Sequence, residues 1–304
     1  MPRLQQIQLR DPFVVTDDGY YYLFGSTDPD IWRKPGIGFD VYRSVAPGVL
    51  TEFEGPFPAF RPPDGFWSTT NFWAPEVHRW HDGWYLFATF LPTQGRRGTA
   101  ILRADHLMGP YRPWSDGPVT PPDWECLDGT LHIDDSGDPW LVFCREWVQV
   151  GDGEIWASRL TADLRSIQGD PTLLFSASQA PWAAPLAGRA PGSYVTDGPW
   201  VFRDSAGRLR MLWSSFGPDG RYRLGVAETA GGILGPWHQS DRPLYAEDGG
   251  HGMLFTGPDG TQCLALHTPN RTPLERPIFV AVRETAEGLV TTGVVISSAP
   301  GGEG

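Results

Sequence analysis

Acidic side chains recur at one kind of place along this 304-residue chain. Asp11 in LRDPF, Glu76 in WAPEV, Asp128 in CLDGTL and Asp197 in VTDGPW each stand just ahead of an apolar stretch, and His251 in GGHGML does the same in a fifth. An Asp before Pro or Gly commonly initiates a turn, which would account for any single one of them. The ordinary turn acids, however, are Asp17, Asp18, Asp82, Asp135 and Asp259, and they sit at the opposite end of the same stretches. Several acids brought together are costly to bury unless they serve chemistry or hold a cation. Two carboxyl groups across a pocket are what cleavage of a glycosidic bond requires. One, protonated, donates to the leaving oxygen; the other, ionised, activates water or attacks the anomeric carbon. A third acid nearby raises the donor's pKa by like-charge repulsion.

The elements that must position these residues are short strands. A strand, a turn of DG or SG type and an aromatic strand recur in FVVTDDGYYYLFGST from Phe13, VHRWHDGWYLFATF from Val77, LHIDDSGDPWLVFC from Leu131, WVFRDSAGRLRMLWSSF from Trp200 and MLFTGPDGTQCLALH from Met253. That is the hairpin signal. Each copy continues to a third strand (FDVYRS, GTAILRAD, EIWASRL, YRLGVAE, PIFVAVRET), and some reach a Pro/Trp segment such as GPYRPW or GPWHQS. Units of roughly 50 to 70 residues with several strands each, repeated five times, predict an all-β, five-bladed β-propeller. A β-sandwich also uses many short strands but gives no reason for five similar hairpins. In a propeller the first strand of each blade lines the central channel, so the five polar residues are expected at equivalent positions around one end of the axis. Helical periodicity is weak, with 161–168 as the candidate. We expect a single domain over residues 1–298 and a flexible tail at 299–304.

Composition narrows the function classes. The net charge of −12 repels phosphate backbones and anionic lipid, so neither nucleic acid nor a membrane surface is an expected partner. No run approaches the roughly 18 apolar residues of a membrane span, and MPRLQQIQLRDPF lacks a signal-peptide core. These features predict a cytoplasmic protein. Cys126, Cys144 and Cys263 form no disulfide framework, and the last two lie in apolar runs that suit buried thiols. Nothing in the sequence sets an oligomeric state.

Taken in order, RDPF, FWAPEV with HDGWYLF, LDGTLHIDDSGDPWLVF, VTDGPW, and GGHGMLF with LALH make the sequence resemble glycoside hydrolase family 43 along nearly its whole length. That family comprises five-bladed propeller enzymes acting on arabinose- and xylose-containing glycans with inversion. The resemblance implies Asp11 as general base and Asp128 as the residue that tunes pKa and orients. Asp197 takes the place of the family's general-acid Glu, which stands in an E-G-P context. The missing methylene withdraws the carboxyl by roughly 1.5 Å, enough to matter for proton transfer. Three readings follow: Asp197 is still the acid, Glu146 in CREWVQVGDGE donates instead, or the protein binds sugar without cleaving it. WECLDG also resembles the acid motif of fructan-cleaving retaining enzymes, which would give Glu125 a role, but their N-D-P-N-G opening is missing. Trp73 and Trp147 are expected sugar platforms beside the acids, with Trp67 a further aromatic and Glu76 a polar contact. His251 matches a family position near the channel centre that helps hold a calcium ion through water; no other cofactor or metal is expected. His267 reads as a satisfied core histidine. Arg276 in LERPIF stands where the family's late arginine reaches a substrate hydroxyl or the base. The implied substrate is an oligosaccharide with α-L-arabinofuranosyl or β-xylosyl linkages.

Overall fold

Each predicted hairpin forms where Asp and Gly permit the backbone to reverse. Asp18 and Gly19, for example, both take positive φ (48° and 78°), as the tight turns matching strand twist require. The computed structural model describes residues 1–285 and 288–295; the expected tail at 299–304 lies outside them. Five four-stranded antiparallel sheets follow one another along the chain, each in simple up-and-down order. Blade one holds β1 (Arg10–Asp17), β2 (Tyr20–Ser26), β3 (Phe39–Ser44) and β4 (Phe53–Phe60). Blade two holds β5 (Ser68–Trp80), β6 (Gly83–Pro92), β7 (Gly98–Ala104) and β8 (Arg112–Pro113). Blade three holds β9 (Cys126–Ile133), β10 (Pro139–Arg145), β11 (Glu154–Leu160) and β12 (Ile167–Ser176). Blade four holds β13 (Asp197–Arg203), β14 (Leu209–Phe216), β15 (Tyr222–Thr229) and β16 (His238–Gln239). Blade five holds β17 (Gly250–Thr256), β18 (Gln262–Thr268), β19 (Arg276–Thr285) and β20 (Gly288–Val295).

The first strands meet one another in sequence, β1 with β5, β5 with β9, β9 with β13, β13 with β17 and β17 with β1, so they close a ring around the axis. This is a five-bladed β-propeller. Among the described residues no strand is exchanged between the two ends of the chain; side chains seal the ring instead. Leu4, Ile7 and Leu9 join Met253, Phe255 and Phe279 in one buried cluster. The Tyr21 hydroxyl donates to the Thr256 carbonyl at 3.3 Å, and Arg10 pairs with Glu275 at 2.8 Å. Phe39, Phe60, Phe72 and Phe90 pack mutually between blades one and two, which uses the aromatic load of the early hairpins.

The expected helix at 161–168 is instead the turn between β11 and β12. There the Thr161 hydroxyl accepts the N–H groups of Arg165 and Ser166, a local bond that competes with helix. Among the described residues the α-helical content is one turn, α1 (Trp147–Val150), and no helix is long and apolar enough to cross a membrane.

One device recurs in every blade. Between Arg10 and Phe13 the first strand carries one residue more than its partner, and the same bulge falls at Trp73–Glu76, Leu127–Thr130, Asp197–Trp200 and Gly250–Met253. The residue that opens each bulge is left-handed: Asp11 (φ 54°), Ala74 (47°), Asp128 (55°), Gly198 (54°) and His251 (49°). Bulges of this kind re-aim side chains, and non-glycine residues held at positive φ cluster at functional sites.

Candidate active site

The register corrects the expectation that the five polar residues are equivalent. Asp11, Asp128 and His251 open their bulges; Asp197 stands one residue earlier and Glu76 two residues later. In blade four the left-handed position is Gly198, where a Cβ would meet the His251 ring at 2.7 Å, so the acid is displaced to the preceding residue. The matching residue of blade one is Arg10. A signal for this offset lies in the sequence, because Pro12, Pro75, Gly129, Pro199 and Gly252 align the five segments as RDP, WAP, LDG, DGP and GHG.

Asp11, Asp128, Asp197, His251 and Glu146 all line one cavity of about 520 Å³, within the usual range for small-ligand pockets. Its walls include Arg10, Trp73, Trp147, Leu186, Phe216 and Tyr222, with the half-exposed Trp32 at 51%. Asp11 Oδ2 accepts the Ser26 hydroxyl at 2.6 Å, and its Oδ1 lies 3.2 Å from His251 Nδ1. Asp128 Oδ2 accepts the Gly198 N–H at 3.0 Å, with His251 Nδ1 at 3.7 Å. The Tyr222 hydroxyl donates to Asp197 Oδ2 at 2.9 Å. Glu146 Oε2 lies 3.0 Å from the Arg97 guanidinium, but the approach is not aligned for a hydrogen bond and that oxygen is left unpartnered. Arg97 also stacks over Trp73 at 4.8 Å, joining the Glu146 wall to an aromatic wall.

These surroundings drive the carboxyl groups apart. Burial works against the Asp11 carboxylate, yet His251 and Arg10 hold it below the ordinary range. Burial, reinforced by the charges of Asp197 and Asp11, pushes Asp128 up to about 8 against the pull of His251. Burial likewise raises Asp197, outweighing His251 and the Tyr222 hydroxyl. Glu146 is pushed up to about 7 by burial, against the Arg97 charge. Burial opposes charging of His251, but Asp11, Asp128, Asp197 and Glu76 together raise it. Asp11 is therefore held ionised while Asp128 and Glu146 titrate near neutrality, the pattern that assigns base and acid in a hydrolytic site.

His267 is the satisfied buried histidine expected, and its tautomer follows from its partners. Its Nδ1 accepts the Asp11 N–H at 3.2 Å, so Nε2 carries the proton toward Asn270 Oδ1 at 3.3 Å. Burial and the nearby Arg10 charge hold it neutral, down to about 3, so its 3.6 Å approach to the Asp11 carboxylate is not an ion pair. Arg276 does not reach the pocket, because its guanidinium is bound by the carbonyls of Pro273 and Glu275 at 3.1 and 2.7 Å. Arg10 faces the site in its stead, donating to Glu275 at 2.8 Å and to Asn270 at 2.8 Å. Glu76 lies outside the lining, two residues past its bulge, and its carboxylate contacts His78 at 3.1 Å. Trp67 packs against Phe66 and Phe90, and Glu125 pairs with Arg96, so neither lines the cavity. Sequence reading missed Arg10, Ser26, Tyr222 and Trp32. Among the described residues, no group of three or more His, Cys, Asp or Glu side chains is arranged to hold a metal.

Fold and site together define a glycosidase of the five-bladed propeller class. The profile of glycosyl hydrolases family 43 matches residues 4–288, and the chain belongs to that family. Among solved structures it is similar to the endo-arabinase from Bacteroides thetaiotaomicron VPI-5482, with 39% identity, 93% of this chain and 97% of that chain covered, and a TM-score of 0.84. A thermostable family-43 glycoside hydrolase aligns at 23% identity over 98% of this chain and 96% of that one, with a TM-score of 0.80. The endo-1,4-beta-xylanase from Bacteroides thetaiotaomicron VPI-5482 aligns at 23% over 96% of each chain, with a TM-score of 0.76. These last two likenesses concern the fold alone. A comparison with curated protein sequences gives no match.

Proposed function

We propose that this chain hydrolyses α-L-arabinofuranosyl or β-xylosyl linkages in arabinose- or xylose-containing oligosaccharides, with inversion. Asp11 is the general base, Asp128 with His251 tunes and orients it, and Glu146 is the proton donor. In the reaction Asp11 takes a proton from the water whose oxygen bonds to the anomeric carbon. The glycosidic C–O bond breaks as Glu146 gives its proton to the leaving oxygen. The observation that carries this assignment is the contrast between an Asp11 held ionised and a Glu146 carboxyl pushed up to about 7 in the same cavity. Asp197 is the weaker donor candidate: it is one methylene short, and the hydroxyl of Tyr222 stabilises its ionised form. It serves instead to hold substrate and, by its charge, to help raise Asp128 and Glu146. The choice of an arabinose-type sugar is supported by the 39% identity to a protein described as an endo-arabinase.

The reading is tested by incubating the protein with a panel of aryl furanosides, aryl pyranosides and arabino- and xylo-oligosaccharides. Release of arabinose or xylose that vanishes in Asp11→Ala is expected. No release across the panel would sink the assignment.

A further inference from the structure

A hydrogen bond of one recurring kind ties each bulge to the blade before it. The N–H of the left-handed residue donates to the side chain that faces the bulge from the preceding blade's second strand. Ala74 donates to Ser26 Oγ at 2.8 Å, Asp128 to Thr89 Oγ1 at 2.8 Å, His251 to Ser214 Oγ at 2.8 Å, and Asp11 to His267 Nδ1 at 3.2 Å. Those acceptors occupy one register position: Ser26 pairs with Arg10, Thr89 with Trp73, Ser214 with Asp197 and His267 with Gly250. Blade three breaks the series. Its residue at that position, paired with Leu127, is Cys144, which is fully buried. The fifth donor, the Gly198 N–H, goes to Asp128 Oδ2 instead, at 3.0 Å.

A thiol is a weak acceptor, whereas a carboxyl oxygen is a good one, and the bond to it becomes charge-assisted when Asp128 ionises. With a hydroxyl at position 144 the Gly198 N–H would have a neutral acceptor at the place the other four blades supply one. We propose that Cys144 is a positioning residue of the active site: by not accepting the inter-blade hydrogen bond, it leaves the Gly198 N–H to fix the carboxylate of Asp128. The inference rests on Asp128 belonging to the site, and it is independent of which residue donates the proton to the leaving group. It also gives the repeat a chemical purpose for its one irregularity, since the N–H that elsewhere holds blades together here holds a functional carboxylate.

The groups facing Asp128 are Asp11 from β1, Asp197 from β13, His251 from β17, Tyr222 from β15 and Cys144 itself from β10. The Gly198 N–H favours the charged form of Asp128, so losing it moves the titration of Asp128, at about 8, to higher pH. The test compares ¹⁵N-labelled parent, Cys144→Ser and Cys144→Ala by following the Gly198 amide resonance with pH, alongside the pH profile of kcat/KM. In the parent the amide shift tracks Asp128. In Cys144→Ser it is expected to lose that inflection, and the step that Asp128 adds to the profile near pH 8, above that of Glu146 near 7, to rise by about half a pH unit or more. Cys144→Ala supplies no acceptor and is expected to keep both inflections in place, whatever packing it loses. A Ser variant whose Gly198 amide still tracks Asp128 would overturn the proposal, as would an Ala variant shifted as far as the Ser variant. If the Ser variant does not fold, the Ala result alone decides, because displacement of its Gly198 resonance contradicts a role through the acceptor. The amide readout does not depend on turnover, so failure of the substrate assignment would leave this result legible.

Discussion

Glu146→Gln keeps the shape of the side chain and removes the proton, so it separates the two consequences of burying this carboxyl. General-acid catalysis contributes about 10²- to 10⁴-fold, or roughly 3–5 kcal/mol of transition-state stabilisation. That loss is expected in kcat for an oligosaccharide, whose departing sugar alkoxide needs a proton. It should be small for an aryl glycoside with an acidic phenol, which leaves without one. The same substitution changes stability in the opposite sense. A carboxyl raised from 4.5 to about 7 binds its proton more tightly in the folded protein. Its contribution to stability is therefore complete below the unfolded value and lost as pH rises through the folded one. The interval corresponds to about 3 kcal/mol at alkaline pH. Gln carries no charge, so the variant should match the parent near pH 4 and exceed it by up to about 3 kcal/mol above pH 8. Urea unfolding at the two pH values reads this difference, and kcat on paired substrates reads the catalytic loss. A variant keeping more than about a tenth of the parent's rate on the oligosaccharide would refute the donor assignment. A stability difference that ignores pH would refute the account of the buried carboxyl.

Asp197→Glu restores the side-chain length usual in the family and is expected to leave kcat unimproved, since donation belongs to Glu146; a tenfold gain would transfer that role to position 197. Trp32 is half exposed at the cavity rim, stacked on Arg10 at 5.3 Å and tied by its indole N–H to Thr272 at 2.9 Å. Trp32→Ala is expected to raise KM about tenfold with kcat nearly kept, the signature of binding shared by ground and transition states, and steady-state kinetics on oligosaccharides checks it. Asp128 and Glu146 are raised by burial, while the surrounding carboxylates raise His251, so all three groups hold protons more tightly when folded. The stabilisation from Asp128 and Glu146 is complete in acid, declines as pH rises and is gone once pH has climbed through about 7 to 8, and that from His251 falls in the same direction; Asp11, which is lowered, acts oppositely and only in acid. Thermal unfolding should therefore occur at lower temperature at pH 9 than at pH 6, and a flat profile would contradict this charge assignment.

Much of this arrangement is legible in the sequence because turns and strands leave local marks. Pairs such as Asp18–Gly19 announce hairpins, and the aromatic runs after them announce strands that pack on both faces. Asp11 and Asp128 are visible from RDP and LDG. The offset of Asp197 is harder to see, because it follows from a steric fact about a neighbouring blade: only glycine fits beside His251 at position 198. Arg10 reads as an ordinary polar residue until the ring closes and brings Glu275 and Asn270 from the far end of the chain to its guanidinium. Tyr222 and Ser26 belong to second and third strands whose residues look like core. Their hydroxyls meet carboxylates only through the register of the strands within a blade, which is tertiary information. Arg276 shows the converse, a residue in the right motif whose donors are taken by its own loop carbonyls.

The central claim is that Asp11 activates water directly rather than attacking the sugar. Proton NMR of the reaction mixture in its first minutes identifies the anomer released before mutarotation blurs it. The account predicts a first-formed sugar of configuration opposite to that of the bond cleaved, with no product from Asp11→Ala. A first-formed sugar of retained configuration would contradict it, because retention requires a covalent glycosyl-enzyme intermediate.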